Sequence, residues 1–388
     1  MEPITRSLHI RVDANDARPS VTPLYQVSAF GAGSPFFYSR KSNPNIVEFE
    51  DAVRTLEGAA HGIAVATGMA AIRICLEQLR PGDCMVVNKL IYGCSFKLVQ
   101  RFCQHFGVDL QVRDLSSLEQ IEQIPSTTRL ALFETPSNPF LRTVEIARVA
   151  QSVKARNSSA LVVVDNTWAT PLYQHPLELG ADVSVHSATK YMSGHSDVMG
   201  GILLTDRDDL ADAFRQERFY SGAVLDPHAA WLLRRSLQTL GVRLEHQART
   251  TREMHAFLAT LPQIRHVYFP EIDGRQLRGY AGILFIELRP DLVDRYDALV
   301  AALDCFGNGT GMACVSSMIA QPYTGSHASM TSQEKTAIGL SPALVRLCFG
   351  LEDLSDLKQS LERGLASIDQ RTVVSGHPAV LIAKGVTS

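Results

Sequence analysis

The sequence predicts an α/β fold: a mostly parallel sheet with helices on both faces, followed by a smaller α+β domain. Two observations predict it. From residue 46 onward, short apolar runs alternate with helical stretches, the pattern of strands joined by helical crossovers. The length, 388 residues, exceeds one ordinary core and calls for two domains.

The elements follow in chain order. Residues 1–45 are rich in Pro, Ser, Gly and Asn and show no sustained periodicity, so they read as an extended arm. Its aromatics, Tyr25, Phe30, Phe36, Phe37 and Tyr38, predict that it docks on another surface, a second subunit being one candidate. A helix is entered from Asn43-Pro44-Asn45 and runs to Leu56. The apolar runs are 62–66, 84–87, 108–112, 129–133, 160–164, 182–185 and 201–204, and helical stretches cover 68–80, 94–105, 144–156 and 207–219. These make a large domain over 46–230. A long helical stretch from His228 to Thr260 leads into a C-terminal domain over 231–370, with strands near 265–268, 282–287 and 345–349 and helices near 293–303 and 354–368. Residues 371–388 read as a loosely held tail.

Composition narrows the function classes. The net charge is -3 and charged residues make up 20%, so no basic surplus points to nucleic acid or an anionic membrane. Seven cysteines, at 75, 84, 94, 103, 305, 314 and 348, form an odd set without a C-x-x-C, which argues against a disulfide framework or zinc knuckle. Met1–Arg6 lead into no apolar signal region, and no apolar run is long enough to span a bilayer. The expectation is a cytoplasmic protein. His186, His195 and Asp197 lie close in sequence but match no usual ligand spacing, so no metal is expected.

The chemistry concentrates at strand ends, where ligands of such sheets bind. Ser187-Ala188-Thr189-Lys190 follows one strand: an amine made partly neutral by burial, beside two hydroxyls able to donate to a phosphate. Val162-Val163-Val164-Asp165 ends a strand in a carboxylate, which either caps the next turn or protonates a ring nitrogen. Thr67-Gly68-Met69 opens a helix whose N–H groups suit an anion. Tyr92, in Tyr92-Gly93-Cys94, either packs or stacks on a flat ring and exchanges a proton. Glu134-Thr135-Pro136-Ser137-Asn138-Pro139 is a rigid loop after a strand. Arg346 is a lone cation in the apolar strand Val345–Phe349; it serves either a salt bridge to Glu352 or Asp353, or a substrate carboxylate.

Taken together and in order, these motifs resemble the Cys/Met-metabolism family of pyridoxal 5'-phosphate (PLP) enzymes: Tyr38-Ser39-Arg40, Gly68-Met69, Tyr92-Gly93, the Glu134–Pro139 loop, Asp165-Asn166-Thr167, Ser187–Lys190, Gly194-His195-Ser196-Asp197 and Arg346. The resemblance runs from about Tyr25 to about Leu365. It implies the aspartate-aminotransferase-like fold (fold type I), PLP as cofactor, a small amino-acid substrate, and a homotetramer of catalytic dimers. Lys190 would carry the cofactor as a Schiff base and shuttle protons. Asp165 would hold the ring nitrogen, Tyr92 would stack over the ring, and Asn138 would lie by its phenolic oxygen. Gly68, Met69, Ser187 and Thr189 would bind the phosphate, joined by Tyr38 and Arg40 of a neighbouring subunit. Arg346 would bind the substrate carboxylate, with Ser317 and Asn138 close by.

Two departures bear on the reaction. Ser316, in Cys314-Val315-Ser316-Ser317, stands where cystathionine-processing members commonly carry a Glu, which removes a carboxylate able to hold a distal ammonium. Cys94 completes a Y-G-C triplet like that of methionine γ-lyases, or is a plain small buried residue. The reading is therefore α,γ-elimination on a small, side-chain-activated L-amino acid, with Ser316 and Cys94 near the side chain. The alternatives are γ-replacement on an O-acyl-homoserine, expulsion of a non-sulfur leaving group such as halide, and, last, a non-catalytic PLP-binding protein.

Overall fold

The computed structural model describes residues 1–10 and 19–369. Seven strands build the larger sheet: β1 (His61–Val65), β2 (Cys84–Asn88), β3 (Asp109–Arg113), β4 (Thr128–Glu134), β5 (Leu161–Asp165), β6 (Val183–His186) and β7 (Gly201–Thr205). Their order is β1-β7-β6-β5-β4-β2-β3. Strands β2 to β6 pair in parallel, and β7 runs antiparallel to both β1 and β6.

Strand alternation sorts the side chains into separate cores. Leu130, Leu132, Val163, Val183 and Val185 enter one cluster with Ile72 and Phe96 of the covering helices. Ala131, Phe133, Val162 and Val164 enter another on the opposite face, with Val149 and Val153. Burying each such aliphatic side chain contributes about 1.5–3 kcal/mol, which offsets the ordering of the strands. The same period of two carries past the strand ends. Glu134, Asp165 and Ser187 therefore share the face of Ile72, while His186 and Asn166 point to the other.

The smaller sheet has β8 (Ile264–Tyr268), β9 (Ile283–Leu288), β10 (Gly307–Asn308), β11 (Met318–Ala320) and β12 (Leu344–Cys348), in the order β10-β11-β12-β9-β8. Ile286 and Leu347 pack against Leu299, Leu357 and Leu361 of its helices. A further cluster, with Phe49, Leu204, Leu233, Phe285 and Cys348, joins the two sheets. No helix among the described residues is long and apolar enough to cross a membrane.

Several sequence expectations need correction. The single helix over 228–260 is two, Pro227–Leu237 and Leu240–Leu258. Arg243 explains the break: its guanidinium takes the Ser236 carbonyl at 3.0 Å and the Thr239 hydroxyl at 3.2 Å, out of a continuous helical ladder. The helix placed at 144–156 starts at Ile146, because the Val144 backbone is bonded on both sides to the Thr135 hydroxyl. The arm is not extended throughout, since Pro3–Leu8 is helical and packs on the helix Pro44–Glu57. The tail over 371–388 lies outside the described residues.

Candidate active site

At the carboxyl ends of β1, β4, β5 and β6, one cavity of about 500 Å³ opens between the two sheets, within the range of small-molecule sites. Gly68, Met69, Tyr92, Asn138, Asp165, Ser187, Thr189, Lys190 and Arg346 line it together. It also takes Glu134 and Thr167, which lie inside the quoted motifs but carry no role there, and Trp168, Met199, Thr310, Met312 and Ser326, which no motif contains.

One end of the cavity is built for an anion. Thr67 caps the helix Gly68–Leu76, its hydroxyl accepting from the Ala70 N–H at 3.1 Å. The N–H groups of that first turn carry the positive end of the helix dipole. The helix approaches the β6 end so closely that a Cβ on Gly68 would lie 2.7 Å from the Ser187 Cβ. Glycine is required there by contact, not by backbone angle. The Thr189 hydroxyl exchanges hydrogen bonds with the Gly200 backbone, which fixes the turn leading to Lys190.

Asp165 sits on the floor. Its Oδ1 accepts from the Thr167 N–H at 3.1 Å and hydroxyl at 2.5 Å, and the same hydroxyl accepts from the Ser187 N–H at 2.8 Å. Thr167 thus fastens the β5 end to the β6 end. Burial pushes the Asp165 carboxyl up, while these hydrogen bonds and the charge of His186 pull it back. Glu134 is its cross-strand neighbour. Burial and the Asp165 charge hold the Glu134 carboxyl well above the usual range, and its Oε2 accepts from the Tyr92 N–H at 3.0 Å.

Lys190 is held by a turn, its N–H donating to the Ser187 carbonyl at 3.1 Å. Burial lowers its ammonium pKa, and the Arg346 charge lowers it further, so the amine is more readily neutral. Burial raises the Tyr92 hydroxyl, as does the Cys94 thiol beside it. Arg346 is 2% exposed and has no acid in salt-bridge range among the described residues. It donates to the Thr310 and Gly311 carbonyls at 3.2 and 2.9 Å, and its Nε lacks a partner. The salt-bridge reading of Arg346 therefore fails, because Glu352 is bonded to Ser317 instead. Trp168 closes the back, stacked on Phe285 of the smaller sheet at 5.9 Å.

Five expected contacts lie outside this cavity. The Ser317 hydroxyl donates to Glu352 at 2.7 Å and accepts from the Gly350 N–H at 2.9 Å, so it is spent on structure. Ser316 is exposed elsewhere. The placement of both at the substrate is corrected on this ground. Cys94 opens instead onto a separate groove with Arg73, Lys97, Arg101 and His105. Tyr38 and Arg40 also point away; Arg40 lies 4.2 Å over the Phe219 ring and donates to the Phe219 carbonyl at 2.7 Å.

The residues present fit pyridoxal 5'-phosphate. There is an anion cradle at Gly68, a carboxylate for a ring nitrogen, a tyrosine beside the ring space, and an amine whose charge is disfavoured. The buried Asn138 Oδ1, without a partner, matches a hydroxyl donor in the cavity.

Comparison with known proteins agrees. The chain is 35% identical to the L-methionine gamma-lyase of Pseudomonas deceptionensis, over 94% of this chain and 97% of that one. It is 32% identical to the cystathionine gamma-lyase of Bacillus subtilis (strain 168), over 95% of this chain and 100% of that one. The crystal structure of cystathionine gamma synthase from Xanthomonas oryzae pv. oryzae superposes with a TM-score of 0.90 at 32% identity, covering 95% of this chain and 98% of that one. The expected fold type I architecture is therefore present. The family model for Cys/Met metabolism PLP-dependent enzymes matches residues 5–366, and the chain belongs to that family of PLP-dependent enzymes.

Proposed function

We propose that the chain catalyses α,γ-elimination on a small L-amino acid whose side chain carries a neutral leaving group, as methionine does. The observation that carries this is the cavity lining near Arg346. Thr310, Met312 and Ser326 are neutral, and the acids that line the cavity, Glu134 and Asp165, are engaged with Tyr92 and Thr167. A second ammonium, as in cystathionine, has no free carboxylate to meet.

When bound, pyridoxal 5'-phosphate supplies an electron sink for the charge that develops at the substrate's Cα. The chain's residues do the rest. The Arg346 fork binds the α-carboxylate through its free Nε edge. The Lys190 Nζ takes the Cα proton and, once it has released that proton and is neutral again, takes one at Cβ. Asp165 keeps a proton on the ring nitrogen. Tyr92, whose hydroxyl stays protonated at neutral pH, gives that proton to the leaving group.

Arg346→Ala is expected to raise KM by roughly 30-fold or more with a smaller change in kcat, since a charge-assisted carboxylate contact is worth about 2–3 kcal/mol. Steady-state kinetics on methionine checks it, and an unchanged KM would refute the carboxylate role. The function itself is tested by comparing methionine, homocysteine, O-acetylhomoserine and cystathionine and weighing the products. A keto acid with free thiol supports elimination. A condensed product assigns γ-replacement, the reading favoured by the likeness to a cystathionine gamma synthase. Preference for cystathionine overturns the neutral-group argument.

The same reading includes a cytoplasmic homotetramer whose active sites are shared across subunits. The sharing of sites is supported by Arg40, which is turned onto Phe219, and by Tyr38, both of which lie outside their own chain's cavity. Mixing inactive Lys190→Ala and Arg40→Ala proteins is expected to restore part of the activity, because one hybrid site regains both residues. No recovery after verified subunit exchange argues against a shared site.

A further inference from the structure

Behind Asp165, on the reverse face of the sheet, lies a buried acid–base pair that the reaction as derived does not use. Glu57 ends the helix Pro44–Glu57, and its Oε2 meets the His186 Nε2 at 2.6 Å. Both side chains are sealed from solvent, at 0% and 1% exposure. The same oxygen accepts from the Asn166 Nδ2 at 3.1 Å, and Asn166 is held in turn by Gln174, which donates to its Oδ1 at 2.8 Å. Each partner of Glu57 adjoins a cavity residue in the chain: Asn166 follows Asp165, and His186 precedes Ser187.

We propose that Glu57 and His186 form a buried ion pair that keeps Asp165 ionised from the far side of the sheet, which makes them positioning residues for the cofactor's ring nitrogen. Three observations carry it. A dry carboxylate is either protonated or paired, and among the described residues His186 is the basic side chain in ion-pair range of Glu57, at 2.6 Å. The carboxyl end of a helix favours a cation beside it and disfavours an isolated anion, so Glu57 is tolerable there when His186 is charged. Asp165 needs such help, because Glu134 is its cross-strand neighbour and two adjacent buried acids resist ionising together. The groups that bear on Asp165 are Glu134 on β4, His186 on β6 with Glu57 behind it, and Lys190 and Arg346 around the cavity.

The inference rests on the reading that Asp165 holds the ring nitrogen, and the test separates the two. Cofactor dissociation constants are measured by equilibrium dialysis on the full-length protein, with melting of each apoprotein as a fold check. Glu57→Gln keeps the shape and the accepting oxygen but removes the charge that holds a proton on His186. It is expected to weaken cofactor binding roughly tenfold, the effect of about one pKa unit at Asp165, with little change in apoprotein melting. A merely structural role predicts no change, because the hydrogen bonds survive. Glu57→Gln combined with His186→Gln is expected to lose no more than Glu57→Gln alone, since both act through one charge. Binding within twofold of wild type in Glu57→Gln, while Asp165→Asn binds weakly, overturns the ion pair and leaves the Asp165 reading intact. Unchanged binding in Asp165→Asn sinks both. A neutron map of the wild type gives an answer that depends on no variant: deuterium on both nitrogens of His186 supports the pair, and on one nitrogen only overturns it.

Discussion

Lys190→Ala is expected to abolish turnover, with kcat falling by about 10⁴-fold or more, the upper end of what one positioned acid–base group contributes. The amine at this position is predisposed to act. Burial and the Arg346 charge both disfavour its ammonium, so the neutral form that takes a proton is the easier one to reach. Thr189 and Ser187 hold the turn that aims it, and no other amine lines the cavity among the described residues. Lys190→Arg makes the sharper companion variant. It keeps the positive charge but cannot release a proton near neutral pH, so it is expected to be as inactive as the alanine form. Product assays on both, with melting curves to confirm folding, check this. Activity within tenfold of wild type in either variant would remove Lys190 from the chemistry.

How much of this site the sequence revealed depends on where its chemistry is stored. Gly68, Asp165, Ser187, Thr189 and Lys190 sit at or just past strand ends, where an apolar run ending in a polar group is a local signal. Arg346 was visible for the opposite reason, as a cation inside an apolar strand. Trp168, Met199, Thr310, Met312 and Ser326 carry no such signal, because tertiary packing alone brings them to the cavity; Glu134 does end an apolar run, but its cross-strand place beside Asp165 is not local. Ser317 was misplaced because its partner, Glu352, lies 35 residues away, and nothing local tells a hydroxyl spent on a buried acid from one facing substrate. The fold shows the same division. The seven strands of the larger sheet were legible as apolar runs, even the edge strand β3, which is not buried, whereas β10 and β11, of two and three residues, are too short to show a period. The helix break after Leu237 was hidden because Arg243, which occupies it, reads locally as an ordinary helix former.

Asp165→Ala is expected to weaken cofactor binding by about 30- to 5,000-fold, from roughly 2–5 kcal/mol for deleting one member of a buried charge pair. This carboxylate is costly to the protein when the cofactor is absent. Asp165 and Glu134 are cross-strand neighbours, both buried, and each is pushed toward its protonated form by burial. Without a cation between them the pair opposes folding. The apoprotein of the milder variant Asp165→Asn, which keeps an oxygen for the Thr167 bonds, is therefore expected to melt no lower than wild type. Its holoprotein is expected to melt below wild-type holoprotein, because weaker cofactor binding stabilises less. The opposite signs in the two states are the diagnostic feature. A strand-end Asp that served only to cap the Thr167 turn would lower both melting points and leave cofactor affinity nearly unchanged. That result would take the acid away from the ring nitrogen and return it to the turn.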